Sequence, residues 1–159
     1  MRIAKFIAGS GICSRREAEQ LILQGLVSID GKIIDTPAIN ITNINIIQVK
    51  GKTIHYIDKP RLWIYYKPVG LITTHNDPQG RPTVFAALAH KLPRVISVGR
   101  LDINSEGLLM LTNSGEVSKY FESPKNQIAR TYKVRAFGKS RPDVVRLLKM
   151  PMCAYYICL

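Results

Sequence analysis

The carboxylate of Asp102 lies in a short polar loop between two apolar segments of this 159-residue chain. Residues 95–98 before the loop are mostly β-branched, and residues 108–111 after it are a continuous run of Leu and Met. Both patterns predict buried strands, so the loop joins two strands of the core. An Asp in such a loop either forms a turn by capping its own backbone or is a reactive group held on a rigid frame.

Two charged residues accompany this aspartate. Arg100 precedes Asp102 by two positions and Glu106 follows it by four. Alternate residues of an extended segment point to the same side, so we expect Arg100 beside the carboxylate. Arg100 is then either an ion-pair partner of Asp102 or a cation that holds a phosphate.

The complete segment from Gly99 to Asn113 closely resembles the catalytic segment of the pseudouridine synthases, in particular the RsuA/RluB group that modifies ribosomal RNA. The resemblance implies that Asp102 is the catalytic aspartate of an enzyme that isomerises a specific uridine to pseudouridine. Such an enzyme breaks the N-glycosidic bond, turns the uracil and rejoins it through carbon, which requires no cofactor and no metal. Whether the Asp attacks the nucleotide or removes a sugar proton is open.

Two other segments carry the same resemblance. Residues 62–66 form a predicted aromatic strand that ends at a Lys-Pro-x-Gly turn, and residues 73–85 are more similar to the large-subunit branch of the group. Arg81 in the latter segment is either a structural cap or an RNA contact. Residues 128–137 alternate as a strand does, and in the family a tyrosine at the position of Tyr132 lies against the target base. An ordinary core tyrosine is the alternative.

The target nucleotide must leave its helical stack before it reacts, at a cost on the order of a few kcal/mol. The resemblance to the pseudouridine synthases implies that Arg100 fills the vacated position in the stack or holds a phosphate, and that Tyr132 stacks on the base.

The first 50 residues predict a helix, a loop, a second helix and a hairpin. Ser14 stands three residues before Glu17, which predicts a capping box at the start of the second helix. Asp30-Gly31 is suited to a tight hairpin turn. Residues 14–18 and 25–32 resemble the S-four-type RNA-binding domain, a small domain first described in a ribosomal small-subunit protein.

Arg15 and Arg16 begin the second helix, where backbone N–H groups and guanidinium groups together can hold phosphate oxygens. They could equally be solvated residues of a first turn. With the domain resemblance we expect RNA contact, and the full set of RNA-binding candidates is Arg2, Lys5, Ser14, Arg15, Arg16, Lys32 and Arg81.

The net charge of +12 favours a polyanionic partner. Residues 1–50 carry +2 and residues 51–159 carry +10, scattered along the chain as on a folded basic surface. We therefore expect ribosomal RNA or a pre-ribosomal particle as the partner of a monomeric protein.

Several classes of protein are excluded at this stage. The apolar runs are far shorter than the roughly 20 residues of a membrane-spanning helix, and no signal peptide is evident, so we expect a cytoplasmic protein without membrane contact. The three cysteines and three histidines do not have the spacing of a disulfide framework or a metal site.

The expected fold is α+β. A small S-four-type domain occupies residues 1–50, a linker residues 51–60, and a synthase catalytic domain with an antiparallel or mixed sheet residues 61–159. Residues 150–159 resemble nothing in the family, so we expect a catalytic domain truncated at its C-terminus. The alternative to an active synthase is therefore an inactive RNA-binding remnant.

Overall fold

A computed structural model describes residues 1–42, 44–57 and 59–133 of the chain. Within them, residues 1–54 form two helices and a four-stranded antiparallel sheet with strand order β2-β1-β3-β4. These elements are α1 (Ile3–Gly9), α2 (Arg15–Leu23), β1 (Val27–Ile29), β2 (Lys32–Ile34), β3 (Ile47–Val49) and β4 (Lys52–Thr53). Their hydrophobic cluster contains the fully buried Ile3, Ile7 and Ile22.

The predicted capping box is present at the start of α2. The Ser14 hydroxyl oxygen accepts the Glu17 N–H at 3.2 Å, and the Glu17 carboxylate accepts the Ser14 N–H at 2.6 Å. Two backbone N–H groups that a helix start leaves without partners are satisfied in this way. The prediction is confirmed, and Arg15 and Arg16 occupy the first turn.

The hairpin turn is also confirmed. Asp30 and Gly31 have φ angles of 49° and 82°, the left-handed values that a tight two-residue hairpin requires at both central positions. The Asp30 carboxylate also accepts the Ile46 N–H and the Asn45 amide, each at 2.8 Å. The turn therefore fixes the loop that leads into β3.

Residues 39–48 are rich in Ile and Asn, which predicts a strand. In the described part of this range the structure has a single bridge at Asn40 and then β3, which begins only at Ile47. The Asn45 side chain accepts the Thr42 backbone N–H at 2.8 Å and the Thr42 hydroxyl at 2.9 Å. Such local side-chain hydrogen bonds offer the backbone an alternative to a strand ladder.

Residues 61–126 contain a second, three-stranded antiparallel sheet with strand order β5-β7-β6. Its elements are β5 (Leu62–Lys67), α3 (Val84–Leu88), β6 (Ile96–Val98), β7 (Gly107–Thr112), α4 (Gly115–Glu122) and a 3-10 turn at Pro124–Asn126. The two antiparallel sheets and their helices give the expected α+β fold.

One face of the second sheet is buried. Leu109 and Leu111 of β7 pack with Val84 and Leu88 of α3, whereas Leu108 on the opposite face is 64% exposed. The expectation of a buried strand therefore holds for only one face of β7. Successive side chains of a strand point to opposite faces, and α3 covers only one of them.

The predicted strand over residues 128–137 is not seen in its described part. Residues 128–133 form neither helix nor strand, because no strand of the described sheets pairs with them. Residues 134–137 lie outside the described residues. The sequence of residues 141–149 also predicts the start of a helix, and this segment likewise lies outside them.

No helix within the described ranges is both long and apolar enough to cross a membrane. In the same part of the chain, no group of three or more His, Cys, Asp or Glu side chains has an arrangement that could hold a metal ion.

Candidate active site

Asp102 lies on the surface, in the loop that joins β6 to β7. The turn is closed by the backbone, because the Ser105 N–H donates to the Asp102 carbonyl at 3.0 Å. Among the described residues, no donor forms a hydrogen bond with the Asp102 carboxylate. The side chain does not cap its own backbone, so the geometry favours the reactive-group interpretation over the turn-forming one.

Lys67, the last residue of β5, anchors this turn. Its side chain is fully buried, and its ammonium donates to the carbonyl oxygens of Pro68, Asp102 and Ser105 at 3.0, 2.9 and 2.7 Å. All three N–H donors of the ammonium are therefore used. Burial lowers the pKa of Lys67, and the nearby negative charge of Asp102 opposes that shift.

The sequence predicts Lys67 only as part of a turn, and the contact with the Asp102 loop is not among the predictions. A signal was present, because residues 63, 65 and 67 share one face of β5 and that face packs on the core. A lysine at an inward position of an aromatic strand needs buried oxygen partners, since an unpaired buried charge is costly.

Other groups outside the loop hold its backbone on either side of Asp102. The Gly70 N–H donates to the Ile103 carbonyl at 2.8 Å, and the Glu122 carboxylate at the end of α4 accepts the Gly99 N–H at 2.6 Å. The Thr73 hydroxyl binds the backbone of Leu101. Segments remote in sequence thus fix a loop without regular structure, as a reactive side chain on a rigid frame requires.

Arg100 and Tyr132 are both exposed. Arg100 lies in the same loop as Asp102, two positions before it. Tyr132 is 64% exposed, and within the described residues it is not a core tyrosine. Their substrate-binding roles stay predictions.

The RNA-binding candidates within residues 1–54 lie on the surface. Two of them, Lys5 and Arg15, lie near Glu116 at the start of α4. The Lys5 ammonium lies 2.6 Å from the Glu116 carboxylate, and Lys5, together with the charge of Arg15, holds the pKa of that carboxyl below its usual value. Only Lys5 forms an ion pair with this carboxylate among the described residues, and the RNA-binding roles of Lys5 and Arg15 stay predictions. The other candidates are exposed or partly exposed: Arg2, Ser14, Arg16 and Lys32.

Arg81 forms a two-pronged contact with Asp77. Its Nε and Nη2 atoms lie 3.0 and 2.7 Å from the two carboxylate oxygens, and its backbone N–H donates to the same carboxylate at 2.8 Å. Of the two roles that the sequence left open, this geometry favours the structural cap. An RNA contact by Arg81 stays a prediction.

The Arg81 contact holds the pKa of Asp77 at about 2, below its usual value of 3.8. The pair therefore stabilises the folded chain above pH ~4, and that contribution is lost as the pH falls towards 2. We expect Arg81→Gln to return the pKa of Asp77 towards 3.8 in an NMR titration of the carboxyl carbons. The lowered pKa of Asp30, set by Ile46 and Asn45, should not move. An Asp77 midpoint that is the same in both proteins would show that Arg81 does not set it.

Comparisons with known proteins match both parts of the chain. Residues 61–152 match the family model described as RNA pseudouridylate synthase, and residues 1–42 match the S4 domain model. A protein of Rickettsia felis described as an uncharacterized RNA pseudouridine synthase is 61% identical over 139 residues, covering 87% of this chain and 60% of that protein.

The "Ribosomal large subunit pseudouridine synthase B" of Buchnera aphidicola is 40% identical over 153 residues, covering 93% of this chain and 61% of the relative. The protein of the same description in Bacillus subtilis is 34% identical over 148 residues, and the match covers 93% of this chain and 60% of that protein. A solved structure titled as a pseudouridylate synthase is 29% identical to this chain and has a TM-score of 0.43. The match covers 79% of this chain and 54% of the chain in that structure.

The chain spans about 60% of the length of the curated relatives that it matches. The resemblance expected from the Asp102 segment and from the S-four-type pattern is confirmed by the two family models. Because the synthase model alone matches more than half of the 159 residues, this chain belongs to the RNA pseudouridylate synthase family.

Proposed function

We propose that this protein converts a uridine of large-subunit ribosomal RNA to pseudouridine, with Asp102 as the catalytic residue. The observation that carries the proposal is the exposed Asp102 carboxylate on a loop whose backbone is held from outside by Lys67. The large-subunit specificity is supported by the relatives described as ribosomal large subunit pseudouridine synthase B.

The reaction takes place within one nucleotide. The bond between uracil N1 and the sugar breaks, the uracil turns, and a bond between uracil C5 and the same sugar carbon forms, while the C5 proton is transferred to N1. Asp102 either attacks the nucleotide and later leaves, or removes a sugar proton so that a glycal forms and then returns the proton. Both routes balance without an oxidant or a reductant, and both require an accessible carboxylate.

We assign the handling of the extruded uridine to two exposed side chains. Arg100 fills the vacated stack or holds a phosphate close to Asp102. Tyr132 offers its ring to the base, a contact worth about 1–3 kcal/mol in other nucleic-acid complexes. The exposure of both side chains supports these roles.

The N-terminal domain holds the RNA backbone in this proposal. Ser14, Arg15 and Arg16 contribute the start of α2. Lys5 forms an ion pair with Glu116, whose carboxyl is also influenced by the charge of Arg15. Arg2 and Lys32 extend the surface, and the net charge of +12 favours the encounter with ribosomal RNA or a pre-ribosomal particle. We further propose that the protein acts as a monomer in the cytoplasm.

We propose a division into an RNA-binding domain (1–50), a linker (51–60) and a catalytic domain from residue 61 onwards. β4 pairs with β3, and Ile54 belongs to the first hydrophobic cluster. The first domain is therefore proposed to reach a few residues into the linker range.

The proposed surface predicts a measurable salt dependence. We expect Arg15→Ala with Arg16→Ala to weaken RNA binding and to make the slope of log affinity against log salt shallower by roughly 0.7–0.9 for each phosphate that the variant no longer binds. The matched control is Lys52→Ala with Lys59→Ala, which removes the same charge from exposed positions away from α2. Equal slopes in the arginine variant and the wild type would assign both arginines to a solvated first turn.

Incubation with a large-subunit ribosomal RNA transcript, and separately with large-subunit particles, tests the function directly. We expect pseudouridine at one defined uridine, mapped by carbodiimide modification and primer extension. RNA binding without conversion in either substrate would contradict the proposed activity.

A further inference from the structure

Thr73 forms a contact that neither the family comparison nor the proposed reaction assigns. Its side chain is buried, and its hydroxyl donates to the Leu101 carbonyl at 2.8 Å. The Leu101 N–H in turn donates to the same hydroxyl oxygen at 3.3 Å. One atom therefore satisfies both backbone groups of the residue that directly precedes Asp102.

This contact replaces a missing strand partner. β6 ends at Val98 and β7 begins at Gly107, so no strand of the described sheets pairs with Leu101. A hydroxyl is a side-chain group that can donate and accept at a single oxygen. Thr73 thus holds the Leu101 backbone much as a neighbouring strand would, and fixes the direction in which the chain enters Asp102.

Thr73 is itself held by the core. The preceding residue, Ile72, forms a parallel bridge to Thr83, and its carbonyl accepts the Val84 N–H at 3.0 Å. Val84 is fully buried at the start of α3, and Leu101 packs on the same hydrophobic cluster. The hydroxyl therefore links the backbone beside Asp102 to the buried core of this domain.

We propose that Thr73 is a positioning residue for the uridine isomerisation. The Thr73 hydroxyl orients the Asp102 backbone. Removal of this hydroxyl therefore lowers kcat and leaves RNA binding unchanged. The inference rests on the proposed role of Asp102 and names a residue outside the Asp102 segment on which that role depends.

Thr74 offers a matched control one residue later. Its hydroxyl donates to the Asn76 carbonyl at 2.8 Å and accepts the Asn76 N–H at 3.3 Å, the same two distances as for Thr73. The Thr74 contact spans two residues within one exposed loop, whereas the Thr73 contact spans 28 residues. Thr74→Val and Thr73→Val therefore remove the same chemistry from different places.

The first measurement is steady-state conversion of uridine in ribosomal RNA. We expect Thr73→Val to lower kcat about tenfold or more with KM within about twofold, because small displacements of a reacting group cost large factors in rate. Thr74→Val should stay within about twofold of wild type, and Thr73→Ser, which keeps the hydroxyl, should recover kcat to within about threefold. Unchanged kcat in Thr73→Val, or equal decreases in both valine variants, would overturn the proposal.

The second measurement is amide hydrogen exchange, which does not depend on activity. The Leu101 amide of the wild type should exchange more slowly than the Asn76 amide, and Thr73→Val should accelerate Leu101 alone. If Thr73→Val fails to fold, the comparison of the two amides in the wild type and in Thr73→Ser still tests the proposal. Equally fast exchange at Leu101 and Asn76 in those proteins would overturn the Thr73 contact. A wild-type protein that converts no uridine while Leu101 is protected would refute the proposed function and retain the Thr73 contact.

Discussion

Asp102→Asn is expected to abolish uridine conversion, by at least about 10³-fold, within the range that a positioned acid or base contributes in other enzymes. Asparagine keeps the shape of the side chain but removes the charge, and both routes for the reaction require a carboxylate. Within the described residues, the Asp102 carboxylate accepts no hydrogen bond. The substitution should therefore leave RNA affinity close to that of the wild type, whereas thermal stability should decrease slightly because the charge near the buried Lys67 ammonium is lost.

Glu106→Gln is the matched control for this variant. It removes the same charge from an exposed position in the same loop, where the Glu106 carboxylate is close to Tyr66. We expect the control to retain conversion, as measured by pseudouridine mapping on the same ribosomal RNA. Conversion at the wild-type rate by Asp102→Asn would remove Asp102 from the mechanism.

Lys67→Met is expected to have the second largest effect, on both stability and activity. Methionine fills a similar volume but donates no hydrogen bond, so the carbonyls of Pro68, Asp102 and Ser105 lose their donor. Buried carbonyls without partners cost about 1–3 kcal/mol each, and relaxation of the loop recovers part of that cost. We expect a decrease on the order of 3 kcal/mol in the free energy of unfolding, within the range of a broken buried network.

Activity should fall together with stability in Lys67→Met, because the turn that presents Asp102 loses its anchor. Urea denaturation measures the stability, and conversion assays at a temperature where the variant is folded measure the activity. Lys91→Met, at an exposed position after α3, serves as the control and should change stability by no more than about 0.5 kcal/mol. A Lys67→Met protein with wild-type stability and activity would contradict the anchoring role.

Some features of this protein could be read from short stretches of sequence. The capping box at Ser14 and Glu17 and the hairpin turn at Asp30-Gly31 depend on backbone geometry within three or four residues, so their signals are local. The position of Asp102 between two strands is local in the same sense. For this reason the elements around the candidate residues, and the family itself, were predictable before the fold was known.

The anchoring of Asp102 was not predictable in this way. Lys67 and Asp102 are 35 residues apart, and they meet because β5 pairs with β7 in a register that places Lys67 opposite Gly107, where the Asp102 loop ends. The same packing decided that the Thr73 hydroxyl reaches Leu101, 28 residues away. A sequence specifies which groups need partners, but the strand register and the packing of α3 on the sheet decide which partners they find, because those contacts join segments that only the folded core brings together.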